Sequence, residues 1–206
     1  MKTKKFTICA ILFLLPVCVQ AVPVTIEING NVTSASGSGL PGTIYAGVTF
    51  TGTYTYESST DDSGSGHHLH DSPYGIKLSL GGYEFKTALN HVGQFDMWII
   101  NDGELNGIKD YYLVRSFENI SNPSLDLTIG SIIWEIWDTT HIALSSGDLP
   151  VTAPVLTNWD YNFLEIYGFG DLGLSIDGTV TQAVLVPEPL TGVLMAMGVF
   201  LLRRRR

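Results

Sequence analysis

From Val48 to Glu57 every second side chain is apolar, aromatic or glycine: Val48, Phe50, Gly52, Tyr54 and Tyr56 alternate with four threonines and Glu57. A period of two sends these groups to one face of an extended chain and the hydroxyls to the other, as in a half-buried strand. Ile76, Leu78 and Leu80 alternate with Lys77 and Ser79. Gly81-Gly82 then offers the positive φ angles of a tight turn, and Tyr83 and Phe85 resume the pattern, so 76–85 reads as a hairpin. Further strands are expected near 24–28, 94–100, 111–117, 132–137, 162–169 and 172–185. Their ends are marked by Asn101-Asp102-Gly103, Asn106-Gly107, Asn122-Pro123, Gly147 and Pro150. Spacing of 3.6 is nearly absent. Eight or nine strands with frequent turns predict an all-β domain over 22–185, built as an antiparallel two-sheet β-sandwich. An open barrel is the lesser alternative, because alternation is common to both.

Ile28-Asn29-Gly30-Asn31-Val32-Thr33 is echoed by Ile176-Asp177-Gly178-Thr179-Val180-Thr181. These segments lie at opposite ends of the domain and are expected to pair as neighbouring strands, each glycine marking a bulge. The alternative is chance similarity between two glycine-containing strands. Ser34 to Gly39 and Ser58 to Gly66 are of low complexity and read as loops.

The two ends carry a different composition. Lys2, Lys4 and Lys5 precede an apolar run from Phe6 to Val19, and Val19-Gln20-Ala21 presents small residues where a signal peptidase cuts. Residues 1–21 therefore read as a secretory signal helix, with cleavage between Ala21 and Val22. A lipoprotein signal is the rival, since Cys18 lies near the end of the apolar run, but Val17 before it is a poor fit. At the other end, Val186-Pro187-Glu188-Pro189 leads into an apolar run from Leu190 to Leu202 and then Arg203, Arg204, Arg205 and Arg206. As a short hydrophobic helix this run would span roughly 20 Å, against roughly 30 Å for a hydrocarbon core. Its arginines and the lysines at the front both belong on the cytoplasmic side, which places everything between them across the inner membrane.

The box, the short apolar run and the arginine cluster together resemble the PEP-CTERM tail of Gram-negative bacteria. The resemblance covers about a tenth of the chain and implies recognition by an exosortase, which removes the tail and passes the protein outward. An ordinary single-pass anchor is the alternative. The domain itself resembles, more loosely, a group of exported PEP-CTERM proteins of unassigned function. The matching pieces are Phe50-Thr51-Gly52-Thr53-Tyr54-Thr55-Tyr56, the acidic Gly/Ser loop after it, and Trp137-Asp138 through Ser145-Ser146-Gly147-Asp148-Leu149-Pro150. Glu57 stands where an aspartate is commoner. This likeness implies a location and an architecture but no catalytic residues.

Without the two signals, residues 22–188 hold four basic and twenty acidic side chains, a net charge of −16. Such a charge argues against nucleic acid and anionic membrane surfaces as partners, and it favours solubility, cations or a basic surface. Cys9 and Cys18 both lie in the signal, so disulfides and thiolate chemistry are excluded from the mature chain.

His67, His68, His70 and Asp71 crowd into one Gly/Ser-rich loop behind Asp61 and Asp62. Imidazoles at this spacing suit zinc, copper or nickel, but a loop without strands beneath it lacks a rigid support, and the simpler reading is a solvent-exposed cluster. His91 and His141 are isolated. Calcium would find carboxylates and carbonyls at Asn101, Asp102 and Glu104, or at Asp160 and Asn162, though Asn-Asp-Gly is also what a plain turn requires. No cofactor is expected beyond that possible calcium. There is no Gly-x-Ser-x-Gly, His-Glu-x-x-His or phosphate-cradling motif, and no carboxylate pair stands out for glycoside hydrolysis. Among the tryptophans, Trp134 shares a face with Ile132 and Ile136 and belongs to the core. Trp137, on the opposite face with Ile133 and Glu135, is the better candidate for an exposed, sugar-stacking ring, although the core is the preferred reading for it too. The expected function is an exported surface or matrix protein with an adhesive role in extracellular polysaccharide, floc or biofilm. A carbohydrate-binding module is the first alternative and a secreted hydrolase the second.

Overall fold

The computed structural model describes residues 23–88, 93–103, 109–125, 128–169 and 173–187. Ten strands fill most of this length: β1 (Pro23–Ser36), β2 (Thr49–Glu57), β3 (His67–His70), β4 (Gly75–Leu80), β5 (Tyr83–Thr87), β6 (Phe95–Ile100), β7 (Asp110–Asn122), β8 (Thr128–Asp138), β9 (Tyr161–Phe169) and β10 (Ser175–Leu185). The alternation expected at β2 and at the β4–β5 hairpin is present, and all pairings are antiparallel.

The two-sheet sandwich is not formed. The strands follow the order β7-β5-β4-β2-β1-β10-β9-β8, and β8 pairs back onto β7, so eight strands close into a barrel while β6 and β3 extend outward from it. Period-two alternation fits either architecture, since both bury one face of each strand. What decides is a branch in β7. One edge of β7 pairs with β6 through residues 111–116 and with β5 through residues 119–122, while its other edge pairs with β8. At the branch Glu118 adopts φ +50°. A buried polar knot fixes the bend: Ser116 Oγ donates to Asn119 Oδ1 at 2.6 Å and lies 2.7 Å from Thr87 Oγ1, and Asn119 Nδ2 donates to the Ser116 and Gly130 carbonyls.

The two flanking helices are expected over 1–21 and 190–202. Among the described residues there is no α-helix, only a 3₁₀ turn at Leu156–Asn158, and no helix is long and apolar enough to cross a membrane. The segments 1–21 and 190–202 lie outside the described residues.

β1 and β10 do pair, with Gly30 opposite Val180 and Val32 opposite Gly178. The irregularities fall beside the glycines, between Asn29 and Gly30 and between Val32 and Ser34. The glycines also allow close approach. A Cβ on Gly30 would stand 2.2 Å from the Thr179 carbonyl and 2.4 Å from the Phe50 ring, and one on Gly178 would stand 3.0 Å from that ring. The two bare backbones let Phe50 pack inside a tightly coiled wall.

The barrel interior is filled by side chains. Tyr54, Tyr112 and Trp134 are fully buried, with ring centroids 5.7 and 5.8 Å from Trp134, and the two phenols share a 2.7 Å hydrogen bond. One end is closed by the segment 139–160. Leu149 and Trp159 are buried there, Trp159 meets Tyr112 edge-on, and the Tyr56 hydroxyl donates to the Pro150 carbonyl. Buried Asp110 and Asp138, opposite one another on β7 and β8, hold this cap. Asp110 accepts from the N–H groups of Asp102, Ala143 and Leu144, and Asp138 accepts from Thr140 and Ile142. Burial pulls the Asp138 carboxyl up, but the Thr140 hydroxyl and the backbone donors outweigh it and hold the pKa below the ordinary value.

Candidate functional site

His67–His70 is not a loop. It is β3, paired to β6 with His67 opposite Trp98 and His70 opposite Phe95. Four residues containing three histidines carry no apolar alternation, so the strand was invisible to periodicity. Its side chains part company. His67 faces outward, with Nε2 3.0 Å from Asp96 Oδ2 and its ring 4.6 Å from Trp98. Asp96, itself buried, also accepts from Trp98 Nε1 at 3.2 Å and from Arg115 Nε and Nη2 at 3.1 and 2.6 Å. The guanidinium stacks over Phe117 at 4.7 Å and Trp98 at 5.8 Å. This Asp96–Arg115 centre was missed in the sequence, because its partners lie on separate strands.

His68 and His70 face inward and are buried. Both are anchored by Thr60: His68 Nδ1 lies 3.0 Å from its carbonyl and His70 Nδ1 lies 3.1 Å from its hydroxyl. A carbonyl only accepts, so His68 carries a proton on Nδ1, and in the neutral ring the lone pair is on Nε2. Neither Nε2 has a hydrogen-bond partner among the described residues. Rings of Tyr56, Tyr74 and Phe95 surround His70 at 5.6 to 6.1 Å.

Burial, with His68 adding to it, pushes the His70 pKa down to about 4. The unfolded chain, with an ordinary value of about 6.5, takes up a proton that the folded chain refuses. Stability from this group is therefore complete above about pH 6.5 and is lost as pH falls toward 4, by roughly 2 kcal/mol after discounting for solvent screening. His70→Phe should flatten the pH dependence of the urea midpoint between pH 7 and 4.5. Parallel curves for the two proteins would refute this.

The other metal candidates are dispersed. Asp71 accepts from the Gly93 N–H, and Asp102 lies 2.5 Å from His141 Nδ1, while Glu104 is outside the described residues. Asp62 binds the N–H groups of Gly64, Gly66 and His67, which lower its pKa and shape the turn before β3. Asp160 accepts from Thr139, and Asn162 bridges Trp134 and Val180. Among the described residues no group of three His, Cys, Asp or Glu side chains is placed to hold a metal ion.

Two surface features remain. A groove of about 780 Å³ runs between the loops 58–66, 100–103 and 147–149, with His68 and Trp98 among its lining residues. The second feature is the outer face of β7, β8 and β9. Register sets Tyr111 beside Trp137 and Trp137 beside Tyr161, and it sets Glu135 beside Phe163. Trp137 and Tyr161 stack at 4.8 Å and 21°, Phe163 follows at 6.0 Å, and the Tyr111 hydroxyl donates to Glu135 Oε2 at 2.9 Å. Glu165 lies opposite Asp177, and burial together with Asp177 and Glu135 raises its pKa.

Of the sorting residues, Val186 and Pro187 are described. Val186 N–H donates to the Thr25 carbonyl at 2.9 Å, which sets the end of β10 beside the start of β1. Ala21, Val22, Glu188, Pro189 and Arg203 to Arg206 lie outside the described residues. Compared with known proteins, the chain matches no family model, no curated protein and no solved structure.

Proposed function

We propose that this chain is an exported surface or matrix protein that adheres to extracellular polysaccharide through the aromatic outer face of β7, β8 and β9. The observation that carries the reading is the Trp137–Tyr161 stack, extended by Tyr111 and Phe163 and flanked by Glu135 and Glu165. These half-buried aromatic residues offer an apolar surface to the C–H face of a pyranose, and neighbouring carboxylates accept its hydroxyl hydrogens. The acidic charge selects against uronate or sulfated glycans and favours neutral or amino sugars. Export rests on the two end segments, and removal of the tail by an exosortase would release the barrel to the surface or the matrix. The barrel's proposed work is binding rather than catalysis.

The test uses protein recovered from the culture medium, with both ends read by mass spectrometry, sedimented with insoluble polysaccharides. Replacing Trp137 and Tyr161 together by alanine should weaken retention at least about tenfold, the equivalent of one lost stacking contact of about 1.4 kcal/mol. Unchanged retention by the double variant overturns the assignment.

A further inference from the structure

The structure assigns a second binding site to the groove beside β3, which takes a non-anionic sugar unit with His68 accepting one of its hydroxyl hydrogens. The ligand class rests on the polysaccharide reading, but the residues are separate from those of the outer face. Its volume of about 780 Å³ falls in the range of small-molecule sites. His68 is 4% exposed, and its Nδ1–H is spent on the Thr60 carbonyl. The remaining lone pair on Nε2 has no donor among the described residues. A buried acceptor left in this state costs free energy that a hydroxyl donor restores.

The walls fit the same ligand. Asp61 and Asp148 come from different loops, are both exposed, and neither carboxylate takes part in a hydrogen bond or ion pair among the described residues. Trp98 supplies a ring held in place by its own Nε1 bond to Asp96 and by contact with His67. Among the described residues, no lysine or arginine lines the groove. Two free carboxylates without a cation repel uronates, phosphates and sulfates, and they accept from sugar hydroxyls or from an amino-sugar ammonium. The groove lies at the capped end of the barrel, where β1 starts and β10 finishes.

The experiment titrates the protein recovered from the medium with glucose, galactose, mannose, N-acetylglucosamine and glucosamine, with galacturonate and Zn²⁺ as controls. It follows the imidazole nitrogen resonances of His68 and the heat of binding. At least one of the five non-anionic sugars should bind in the millimolar range and shift His68 Nε2, and galacturonate should not. His68→Phe, which keeps an aromatic ring in the core, should lose at least about tenfold in affinity. Should that variant not fold, the exposed pair Asp61→Asn and Asp148→Asn decides, with weaker sugar binding expected. No response from any of the five sugars, a His68 shift with Zn²⁺ alone, or unchanged affinity in the deciding variant overturns the proposal. The Trp137 and Tyr161 double variant should keep groove binding intact. Retained polysaccharide adhesion with a silent groove sinks this site alone, and groove binding without any role for Trp137 and Tyr161 sinks the outer-face reading alone.

Discussion

Asp110→Ala should lower the stability of the folded chain by about 3 to 5 kcal/mol, read as a shift of the urea midpoint at constant slope. Asp110 is fully buried and its carboxylate receives three backbone donors, from Asp102 at 3.2 Å and from Ala143 and Leu144 at 2.9 Å each. Hydrogen bonds to a charged group are worth about 1.5 to 3 kcal/mol each, and alanine leaves all three donors without that acceptor. The residues released belong to the two loops beside the end of the barrel, so the cap over Tyr112 and Trp159 should loosen first. Asp110→Asn retains one side-chain oxygen and should cost about half as much. A loss below about 1 kcal/mol for alanine would show that the cap is held by its apolar contacts alone.

Trp134→Ala should cost a similar amount, about 3 to 5 kcal/mol. The indole is fully buried between Tyr54 and Tyr112, and its Nε1 donates to Asn162 Oδ1 at 3.1 Å. Its removal opens a cavity at the centre of the ring, where eight strands converge and none can move inward without carrying its neighbours. Asn162 keeps its two bonds to Val180, so the loss comes from packing more than from an orphaned polar group. Trp134→Phe should recover more than half of it. If phenylalanine and alanine destabilised equally, the hydrogen bond rather than the volume would be the dominant contribution.

Strand positions were legible because each wall residue is either inside or outside, and the chain records that choice locally. The same rule set Trp134 in the core, where it is fully buried, but the core was also the preferred place for Trp137, which instead stands half-buried in the outer stack. Closure was not legible. It depends on β7 bending at Glu118 and on Thr87, Ser116 and Asn119 meeting in a buried knot, and nothing near any one of these residues announces the other two. β3 escaped for a related reason. Its inward residues are histidines that reach Thr60, and its outward His67 is matched to an aspartate 29 residues away. The aromatic surface was legible only in pieces, since Tyr111, Trp137 and Tyr161 become neighbours through the register of β7, β8 and β9.

The pairing of β1 with β10, from Ile26 beside Leu185 to Ser36 beside Ser175, means that the wall has no natural beginning. A few residues would suffice to sew position 187 to position 23, and a cut in the exposed stretch 61–65 would then supply new ends without breaking a single rung between strands. Such a permuted molecule would keep the same interior, because the circle of neighbours, and not the order in which the chain visits them, is what this polypeptide encodes.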